Sequence, residues 1–258
     1  MPEKIISELL NSGQVLRLTL NAPKGNILSA QMMTDIQTEL ENIDPRSQIK
    51  LLQFTGSGDH FSFGASVPEH KREEAPDMLK RFHLLFYTLM DLSIPTAALI
   101  SGQCLGGAME LALMCNFLFL DKSARLGQPE INLGVFAPPA SLILPLKIGQ
   151  TQADDLLLTG RTIDSETVNN LGLATKVFDD HQLMLSGVND WICKYILPKS
   201  ASSLKYAVRA ARTHFNMALR DELDHLERNY TEELMNSHDA NEGINAFLEK
   251  RPPKWESK

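Results

Sequence analysis

The sequence predicts an α/β protein in which a mostly parallel β-sheet is followed by an all-helical C-terminal region. Short apolar segments typical of strands alternate with segments of helical periodicity over the first two-thirds of the chain. From about residue 182 onward only helical periodicity is found. Consecutive strand–helix–strand segments favour parallel strands joined by right-handed crossovers. The 258 residues, of which 43% are hydrophobic, are enough for one large domain or for one domain with a small appendage.

The first predicted elements are a β-hairpin and a capped helix. Residues 4–10 and 14–20 read as two strands, and Asn11-Ser12-Gly13 between them is a turn signal. Ser29 is a favourable N-cap for the first helix, which Asp44-Pro45 ends.

The remaining elements continue the alternation. Further strands are predicted at 50–55, 96–100, 117–120 and 174–178, and a turn at 101–105. Helices are predicted at 76–91, from 106 or 107 to about 115, and at 139–148, 152–158 (capped by Thr151) and 164–171. The C-terminal helices are predicted at 183–196, 201–217, 219–236 and 239–249.

Composition and charge argue against several classes of protein. A net charge of −7 and a pI near 5.5 do not fit non-specific binding to nucleic acid, which requires a basic surface. Cys104, Cys115 and Cys193 lie in apolar surroundings, and neither they nor the seven scattered histidines have metal-ligand spacing. We therefore predict reduced, buried thiols and no metal site. The N-terminus has no basic stretch followed by an apolar one, so we predict no signal peptide and expect a cytoplasmic protein.

Residues 92–120 form an apolar stretch long enough to span a membrane. However, it contains Pro95, three glycines, several hydroxyl and amide side chains, and a glutamate. These features favour a strand, a turn and a buried helix, and we predict no contact with a membrane.

Glu110 is the one charged residue in this apolar stretch. A carboxylate in such surroundings is costly to ionise unless something compensates it. An acid in the first turn of a helix is also favoured by the helix dipole, but that explains a surface glutamate better than one within an apolar run. Glu110 is therefore a candidate for acid–base chemistry at neutral pH.

Glu130 is the second candidate, in the sequence Leu126-Gly127-Gln128-Pro129-Glu130. Taken alone, it fits a solvated loop acid equally well. If it faces Glu110, the two carboxyl groups cannot both ionise easily and hold one proton between them. One can then activate water while the other delivers a proton.

Two glycine-containing segments are candidates for an oxyanion hole. Gly106-Gly107 begins the predicted helix that carries Glu110, and the first N–H groups of a helix have no partner within it. The Gly64-Ala65 loop, which follows an earlier buried strand, is the candidate for a second N–H donor. By itself, each segment is more often a sign of close packing.

Residues 60–67, 101–116 and 126–134 together resemble the enoyl-CoA hydratase/isomerase (crotonase) superfamily. They contain, in the family's order, a Gly-Ala loop of small residues, a Gly-Gly-x-x-Glu helix start and a Gly-Gln-Pro-Glu loop. Residues 242–251, Glu-Gly-Ile-Asn-Ala-Phe-Leu-Glu-Lys-Arg, resemble the family's closing helix.

The resemblance implies an α/β fold, the crotonase-type spiral of ββα units, in residues 1–196 and a helical trimerisation region in residues 197–258. It also implies an acyl-CoA thioester as substrate and a homo-oligomer, either a trimer or a dimer of trimers. No cofactor is implied, because coenzyme A is part of the substrate.

The same resemblance, carried over residue by residue, implies the catalytic roles. The N–H groups of Ala65 and Gly107 would form the oxyanion hole that polarises the thioester carbonyl, and Glu110 and Glu130 would be the acid–base pair. Family members that isomerise, dehalogenate or decarboxylate commonly lack one of these glutamates. The presence of both therefore favours the addition or removal of water.

Further substrate contacts are implied around this centre. The CoA moiety would lie along the Lys24-Gly25 loop and the small-residue loop, and Lys250 or Arg251 of a neighbouring subunit would reach its phosphates. Basic residues near a closing helix are, however, often merely solvated. The residues expected to bind substrate are Lys24, Phe63, Gly64, Ser66, Val67, Gly106, Phe136 and Lys250.

Two departures from the family pattern indicate a particular acyl group. Ser66 stands where the hydratases usually have Asp, and residues 134–141, Gly-Val-Phe-Ala-Pro-Pro-Ala-Ser, replace a glycine-rich segment. The run Phe-Ser-Phe-Gly-Ala-Ser-Val at residues 61–67 and the segment Gly-Val-Phe-Ala-Pro at residues 134–138 both resemble the cyclohexa-1,5-diene-1-carbonyl-CoA hydratases of anaerobic aromatic degradation. A flat ring needs a wide apolar slot, which Phe63, Val67 and Phe136 are expected to line.

Three functional readings follow from the sequence. The first is hydration of a ring-bearing dienoyl-CoA, and its nearest rival is a short-chain 2-enoyl-CoA hydratase of β-oxidation with the same glutamates. The remote alternative is an RNA-binding protein with this fold, which should carry a lysine-rich helix. The acidic balance and the intact glutamate pair argue against that alternative.

Overall fold

The structure, a computed structural model, describes residues 4–258. The first three residues of the N-terminal stretch, for which no signal peptide is predicted, lie outside this range. The strands are β1 (Ile5–Leu10), β2 (Val15–Leu20), β3 (Leu51–Gly56), β4 (Thr96–Ile100), β5 (Gln103–Leu105), β6 (Phe117–Asp121), β7 (Arg125–Gly127), β8 (Thr162–Asp164) and β9 (Lys176–Phe178). The helices are α1 (Ala30–Glu41), α2 (Ala75–Leu92), α3 (Gly107–Met114), α4 (Pro138–Ile148), α5 (Gln150–Thr159), α6 (Ser165–Asn170), α7 (His181–Tyr195), α8 (Ala201–Ala211), α9 (Thr213–Arg228) and α10 (His238–Leu248).

The main sheet has six strands in the order β1-β2-β3-β4-β6-β9. The hairpin pair β1–β2 is antiparallel, and every other pair in this sheet is parallel. The predicted mostly parallel sheet is therefore confirmed. Its turn, Asn11-Ser12-Gly13, has positive φ at all three residues, which Asn and Gly adopt readily.

A second sheet of three short strands, β5-β7-β8, was not predicted. The predicted turn at 101–105 is wrong in its second half, because Gln103–Leu105 pairs in parallel with Arg125–Gly127. Strand β8 likewise occupies the start of the predicted helix 164–171, which begins at Ser165. Strands of three residues are too short to show a periodic pattern.

The helices confirm most of the predicted elements. Ser29 caps α1 by accepting a hydrogen bond from the Met32 N–H, as expected. Thr151 is not a cap, because α5 begins at Gln150 with Gly149 before it. The predicted break near residue 218 lies instead at Arg212, between α8 and α9.

At this break, the Arg212 guanidinium donates to the carbonyls of Met114 and Cys115 at the end of α3. Those contacts are distant in sequence and cannot be read from periodicity. The predicted helix 219–236 also changes character, since it continues past α9 as a π-helical turn, Asn229–Glu233, and a 3₁₀ turn, Leu234–Asn236.

The core lies on both faces of the main sheet. One face packs against α1, α2, α3 and α4 in the larger cluster of buried side chains. The other packs against α7, where Trp191 meets Phe117 and Phe119 at ring-centroid distances of 4.8 and 5.2 Å. Central strands covered on both faces read as continuous apolar runs, which explains the composition of residues 92–120. Within residues 4–258, no helix has both the length and the apolar character needed to cross a membrane.

The site segments leave the carboxyl ends of two neighbouring parallel strands. Strand β3 leads into the loop that contains Gly64-Ala65, and β4 leads through β5 into α3. An isolated parallel bridge between Ser62 and Cys104 holds the two segments side by side, and a second one joins Ala65 to Leu28. In open α/β sheets this edge is where ligands bind.

Candidate active site

The loop before Ala65 has its N–H groups engaged one after another. The donations are Phe61 N to Ser101 O (2.8 Å), Ser62 N to Gln103 O (3.0 Å), Phe63 N to Gly25 O (2.9 Å) and Gly64 N to Ser62 Oγ (3.0 Å). Gly64 has φ of +95°, and a Cβ there would lie 2.5 Å from Leu105 O, so only glycine fits. The backbone is thus fixed up to the candidate oxyanion donor.

Ala65 is the first residue of this series whose N–H is left open. In its parallel bridge with Leu28, the hydrogen bond runs from Leu28 N to Gly64 O at 2.9 Å, so the N–H of Ala65 itself takes no part. Among residues 4–258, no acceptor takes a hydrogen bond from this N–H.

Gly107 supplies the second open N–H next to it. The first hydrogen bond of α3 runs from Glu110 N to Gly106 O, so the N–H of Gly107 has no partner in the helix. A Cβ built on Gly107 would lie 3.5 Å from Ala65 N and 3.4 Å from Ala65 Cβ. The two predicted oxyanion donors therefore sit on adjoining backbone segments, at the positive end of a helix.

Gly106 makes room for Glu130. Its N–H donates to Gly127 O at 2.9 Å, and a Cβ on Gly106 would lie 2.6 Å from Glu130 Oε1. A side chain at this position would therefore displace the carboxylate. Gly106 was predicted as a substrate contact. The structure shows in addition that its lack of a side chain leaves space for the Glu130 carboxylate.

Glu110 lies on α3 and is 4% exposed. Its Oε1 accepts a hydrogen bond from the Ala140 N–H in the first turn of α4, at 2.9 Å. Burial raises the pKa of Glu110 well above its usual range, the charge of Glu130 adds to this, and the Ala140 hydrogen bond opposes it. This environment agrees with the prediction from the sequence that Glu110 is costly to ionise.

Glu130 lies in a short 3₁₀ turn, Pro129–Leu133, that follows β7. The Gln128 amide, oriented with its nitrogen toward Glu130, donates to both carboxylate oxygens at 3.1 and 3.0 Å. Removal from water raises the pKa of Glu130 to about 7. Because the charge of ionised Glu130 also raises the pKa of Glu110, the pair keeps one proton as the pH rises above that value.

An aromatic pair next to the glutamates was not fully predicted. Phe136, in the segment before α4, meets the Tyr230 ring edge-on at 5.4 Å between centroids. Tyr230 lies in the π-helical turn after α9 and is 1% exposed. No sequence motif marks Tyr230, because it reaches the site from almost a hundred residues away.

Comparison with known proteins identifies the family of this chain. A family model described as enoyl-CoA hydratase/isomerase matches residues 11–258. The chain belongs to the enoyl-CoA hydratase/isomerase family.

Individual relatives cover nearly the whole chain. The cyclohexa-1,5-dienecarbonyl-CoA hydratase of Thauera aromatica is 42% identical over 97% of this chain and 96% of its own length. A probable enoyl-CoA hydratase of Mycobacterium tuberculosis is 33% identical over 92% of this chain and 93% of its own length. The crystal structure of an enoyl-CoA hydratase/isomerase from Pseudoalteromonas atlantica is 27% identical, with a TM-score of 0.84 over 98% of this chain and 99% of the other. These findings confirm the predicted crotonase fold and an enzyme of the enoyl-CoA hydratase class.

Within this family site, the loops expected to hold coenzyme A form a second region. Phe63 is 43% exposed, and its ring covers Gly25 and meets His60 edge-on at 4.9 Å. Lys24 and Gly25 line a surface cavity of about 390 Å³ together with residues 57–60. Phe63 therefore lies on the Lys24-Gly25 side of the site, whereas Phe136 packs on Tyr230.

The other predicted contacts lie at the margin of the site. Ser66 begins a 3₁₀ turn, Val67–His70, in which half-buried Val67 packs against the core. Lys250 is exposed just after α10, with φ of +56°. The neighbouring Arg251 forms a two-pronged ion pair with Glu242 at 2.5 and 2.8 Å, so within this chain its guanidinium is already engaged.

The described residues contain no group of three or more His, Cys, Asp or Glu side chains placed to hold a metal ion. The chemistry that the site's own residues offer is carbonyl polarisation by two N–H groups and proton transfer by two carboxyl groups.

Proposed function

We propose that this enzyme hydrates a cyclic conjugated dienoyl-CoA, cyclohexa-1,5-diene-1-carbonyl-CoA, to 6-hydroxycyclohex-1-ene-1-carbonyl-CoA, in anaerobic aromatic degradation. The observation that carries the reaction type is the coupled pair Glu110–Glu130 beside two open N–H groups. The relative from Thauera aromatica, named for this reaction, supports the choice of substrate.

In the proposed mechanism, the thioester carbonyl oxygen accepts hydrogen bonds from the N–H groups of Ala65 and Gly107. The ionised member of the glutamate pair takes a proton from water, whose oxygen bonds to the ring carbon β to the carbonyl. Electron density moves to the carbonyl oxygen, and the two N–H groups stabilise the resulting dienolate. The protonated glutamate then delivers its proton, and the pair ends with one proton, as it began.

The ring substrate differs from a straight-chain one in where this proton goes. In the cyclic dienolate, protonation at the far diene carbon leaves one double bond at the carbon that carries the carbonyl. In a straight-chain enolate, the proton goes to the α-carbon. In the proposed reaction, one glutamate therefore acts on the water at the β-carbon and the other delivers its proton at the far diene carbon.

The apolar wall of the proposed ring slot is Phe136. It precedes Pro138 and Pro139, which begin α4, and it is backed by the buried Tyr230 ring. Proline fixes φ, so this segment is stiffer than one rich in glycine. A stiff aromatic wall suits a flat, rigid ring better than a flexible chain.

Competing thioesters test the proposal directly. We expect kcat/KM of the purified enzyme to be at least about tenfold higher for the cyclic dienoyl-CoA than for crotonyl-CoA. Reaction in D₂O should place one deuterium at the far diene carbon. Preferential turnover of crotonyl-CoA, with deuterium at its α-carbon, would instead establish the short-chain 2-enoyl-CoA hydratase, which the relative from Mycobacterium tuberculosis supports.

The predicted assembly belongs to the same proposal. We expect a homotrimer or a dimer of trimers through residues 197–258, with Lys250 of one subunit near the CoA phosphates of another. Light scattering on the purified protein checks the first part. Comparing KM for the CoA ester and the N-acetylcysteamine ester in the Lys250→Ala variant checks the second, because the shorter thioester lacks the phosphates.

A further inference from the structure

We propose that the hydroxyl of Tyr230 is a third polar group of the active site, which donates a hydrogen bond to the oxygen atom that is added to the substrate. This inference deepens the proposed function and rests on it. Neither the family motifs nor the glutamate pair calls for a tyrosine at this position.

The first observation is that the Tyr230 hydroxyl is buried without a partner. The residue is 1% exposed, and its oxygen finds no hydrogen-bond partner among residues 4–258. Buried polar groups are nearly always hydrogen-bonded, because an unpaired one forfeits its hydration. A hydroxyl in this state next to a catalytic centre indicates that its partner is a water or a substrate atom.

The second observation is where the ring lies. Tyr230 packs on Phe136, and four residues later in the same segment Ala140 donates to Glu110. A continuous set of contacts therefore links Tyr230 to the catalytic carboxylate. The charges of Glu130 and Glu110 also act on the hydroxyl, and with the larger effect of burial they raise the pKa of Tyr230 well above its usual range. Tyr230 thus remains a neutral donor throughout the working pH range.

The third observation is the backbone at this residue. Tyr230 lies in the single π-helical turn Asn229–Glu233, which interrupts the regular helix after α9. Such a turn inserts one residue into the register and redirects the side chains around it, and it occurs frequently at functional sites. Thr231, the next residue, donates back to Glu227 O at 2.9 Å and so has its hydroxyl satisfied locally. Of these two neighbouring hydroxyls, only the one on Tyr230 is available to a ligand.

The hydration reaction itself indicates which atom accepts the hydrogen bond from the Tyr230 hydroxyl. Once its first proton has left, the glutamate pair holds a single proton, and the water that it activates needs to be oriented toward the β-carbon. A phenol that donates to the lone pair left free on that water fixes its orientation without removing its proton. In the reverse direction, the same phenol donates to the hydroxyl group of the product.

The test is Tyr230→Phe, which removes one oxygen and keeps the ring on Phe136. The matched control is Tyr206→Phe, since Tyr206 is 68% exposed. For Tyr230→Phe we expect kcat/KM to fall about 10- to 100-fold in both directions. Affinity for 6-hydroxycyclohex-1-ene-1-carbonyl-CoA, measured by calorimetry, should weaken about tenfold, while affinity for cyclohex-1-ene-1-carbonyl-CoA changes less than about twofold.

Several outcomes would overturn the inference. Unchanged rates, or equal weakening for the hydroxylated and unhydroxylated rings with a lowered melting temperature, would show that Tyr230 only packs. Measuring the affinity of Tyr230→Phe for 3-hydroxybutyryl-CoA and for butyryl-CoA separates this inference from the proposed function, because neither ligand contains a ring. Hydroxyl-selective weakening there supports the role of Tyr230 even if the cyclic dienoyl-CoA is not turned over.

Discussion

Glu110 on α3 accepts its hydrogen bond from the Ala140 N–H at 2.9 Å, and Ala140 is the third residue of α4. The first two residues of that helix, Pro138 and Pro139, have no N–H, so Ala140 provides the first amide at the helix end. One carboxylate oxygen is thereby fixed against the segment that carries Phe136. The proposed catalytic group and the proposed acyl wall are thus parts of one local structure.

The shared proton predicts the pH dependence of activity. Water addition needs one ionised and one protonated carboxyl group. The pair reaches this state when its first proton leaves, near the pKa of about 7 at Glu130, and loses it when the second leaves Glu110 at higher pH. We therefore expect a bell-shaped profile of kcat/KM with its acidic midpoint near 7.

The variant Glu130→Gln provides the check on this profile. It leaves a single titrating carboxyl group, so the bell should lose one limb and the remaining rate should fall about 10²- to 10⁴-fold. A variant profile with both limbs in place would show that the titrating groups lie elsewhere.

Burial of Glu110 predicts that replacing it with glutamine raises stability at higher pH although it lowers activity. Because its folded pKa is raised, Glu110 contributes stability below the pKa of the unfolded chain, and that contribution is lost as pH rises through the folded pKa. The variant Glu110→Gln should therefore gain stability relative to the wild type as pH increases from 5 to 8, while kcat falls about 10²- to 10⁴-fold.

Urea denaturation at three pH values measures this difference. The exposed Glu166→Gln serves as the control, for which the wild-type pH dependence should be retained. A Glu110→Gln variant whose stability runs parallel to the wild type at all three values would contradict the assignment of a protonated, buried acid.

The close approach of the Glu130 carboxylate to Gly106 predicts that a side chain at Gly106 lowers activity. Gly106→Ala places a Cβ 2.6 Å from Glu130 Oε1 at a backbone with φ of +52°, so the carboxylate must move. A displacement of about 1 Å is expected to lower kcat about 10²-fold. Gly172→Ala is the matched control, because φ there is +75° but nothing lies within 4 Å of the added atom.

Kinetics and thermal melts of the two variants separate strain from displacement. Both should lose about 1 kcal/mol or more through the left-handed backbone, but only Gly106→Ala should lose activity. Equal activity of the two would mean that Glu130 does not depend on the space at Gly106.

The aromatic wall predicts a change in substrate preference. Phe136→Ala removes the ring that packs on Tyr230. The ratio of kcat/KM for the cyclic dienoyl-CoA to that for crotonyl-CoA should fall about tenfold, since loss of one side of an apolar slot affects a rigid ring more than a short chain. The exposed Leu158→Ala is a control for loss of apolar volume without effect on either substrate.

A fall of the two rates by the same factor in Phe136→Ala would contradict the role of this residue in ring selection. It would instead indicate a general effect on Glu110 through Ala140, which lies on the same segment.

Much of the fold was accessible from local patterns. Ser29 was predicted as a cap because its side chain bonds only three residues ahead, and the hairpin turn because its signal lies in three consecutive residues. The strands β5, β7 and β8 were not, because each has three residues and is held by partners distant in the chain. Arg212, at the helix boundary, likewise bonds to a carbonyl almost a hundred residues away.

For the active site, the sequence by itself determined that Glu110 would be buried and reluctant to ionise. The long apolar segments on either side of Glu110 are buried when the chain folds around its parallel sheet. A carboxylate between them is therefore removed from water, which makes its ionisation costly. The Gly-Gly start of the same helix, with its unpaired N–H groups, is also a local property of the chain. Only the tertiary structure decided that Ala140 donates to Glu110, that the absence of a side chain at Gly106 leaves room for Glu130, and that Tyr230, from the C-terminal helices, packs on Phe136. Contacts between segments so far apart are set by how the helices pack on the sheet, and no pattern within one segment encodes them.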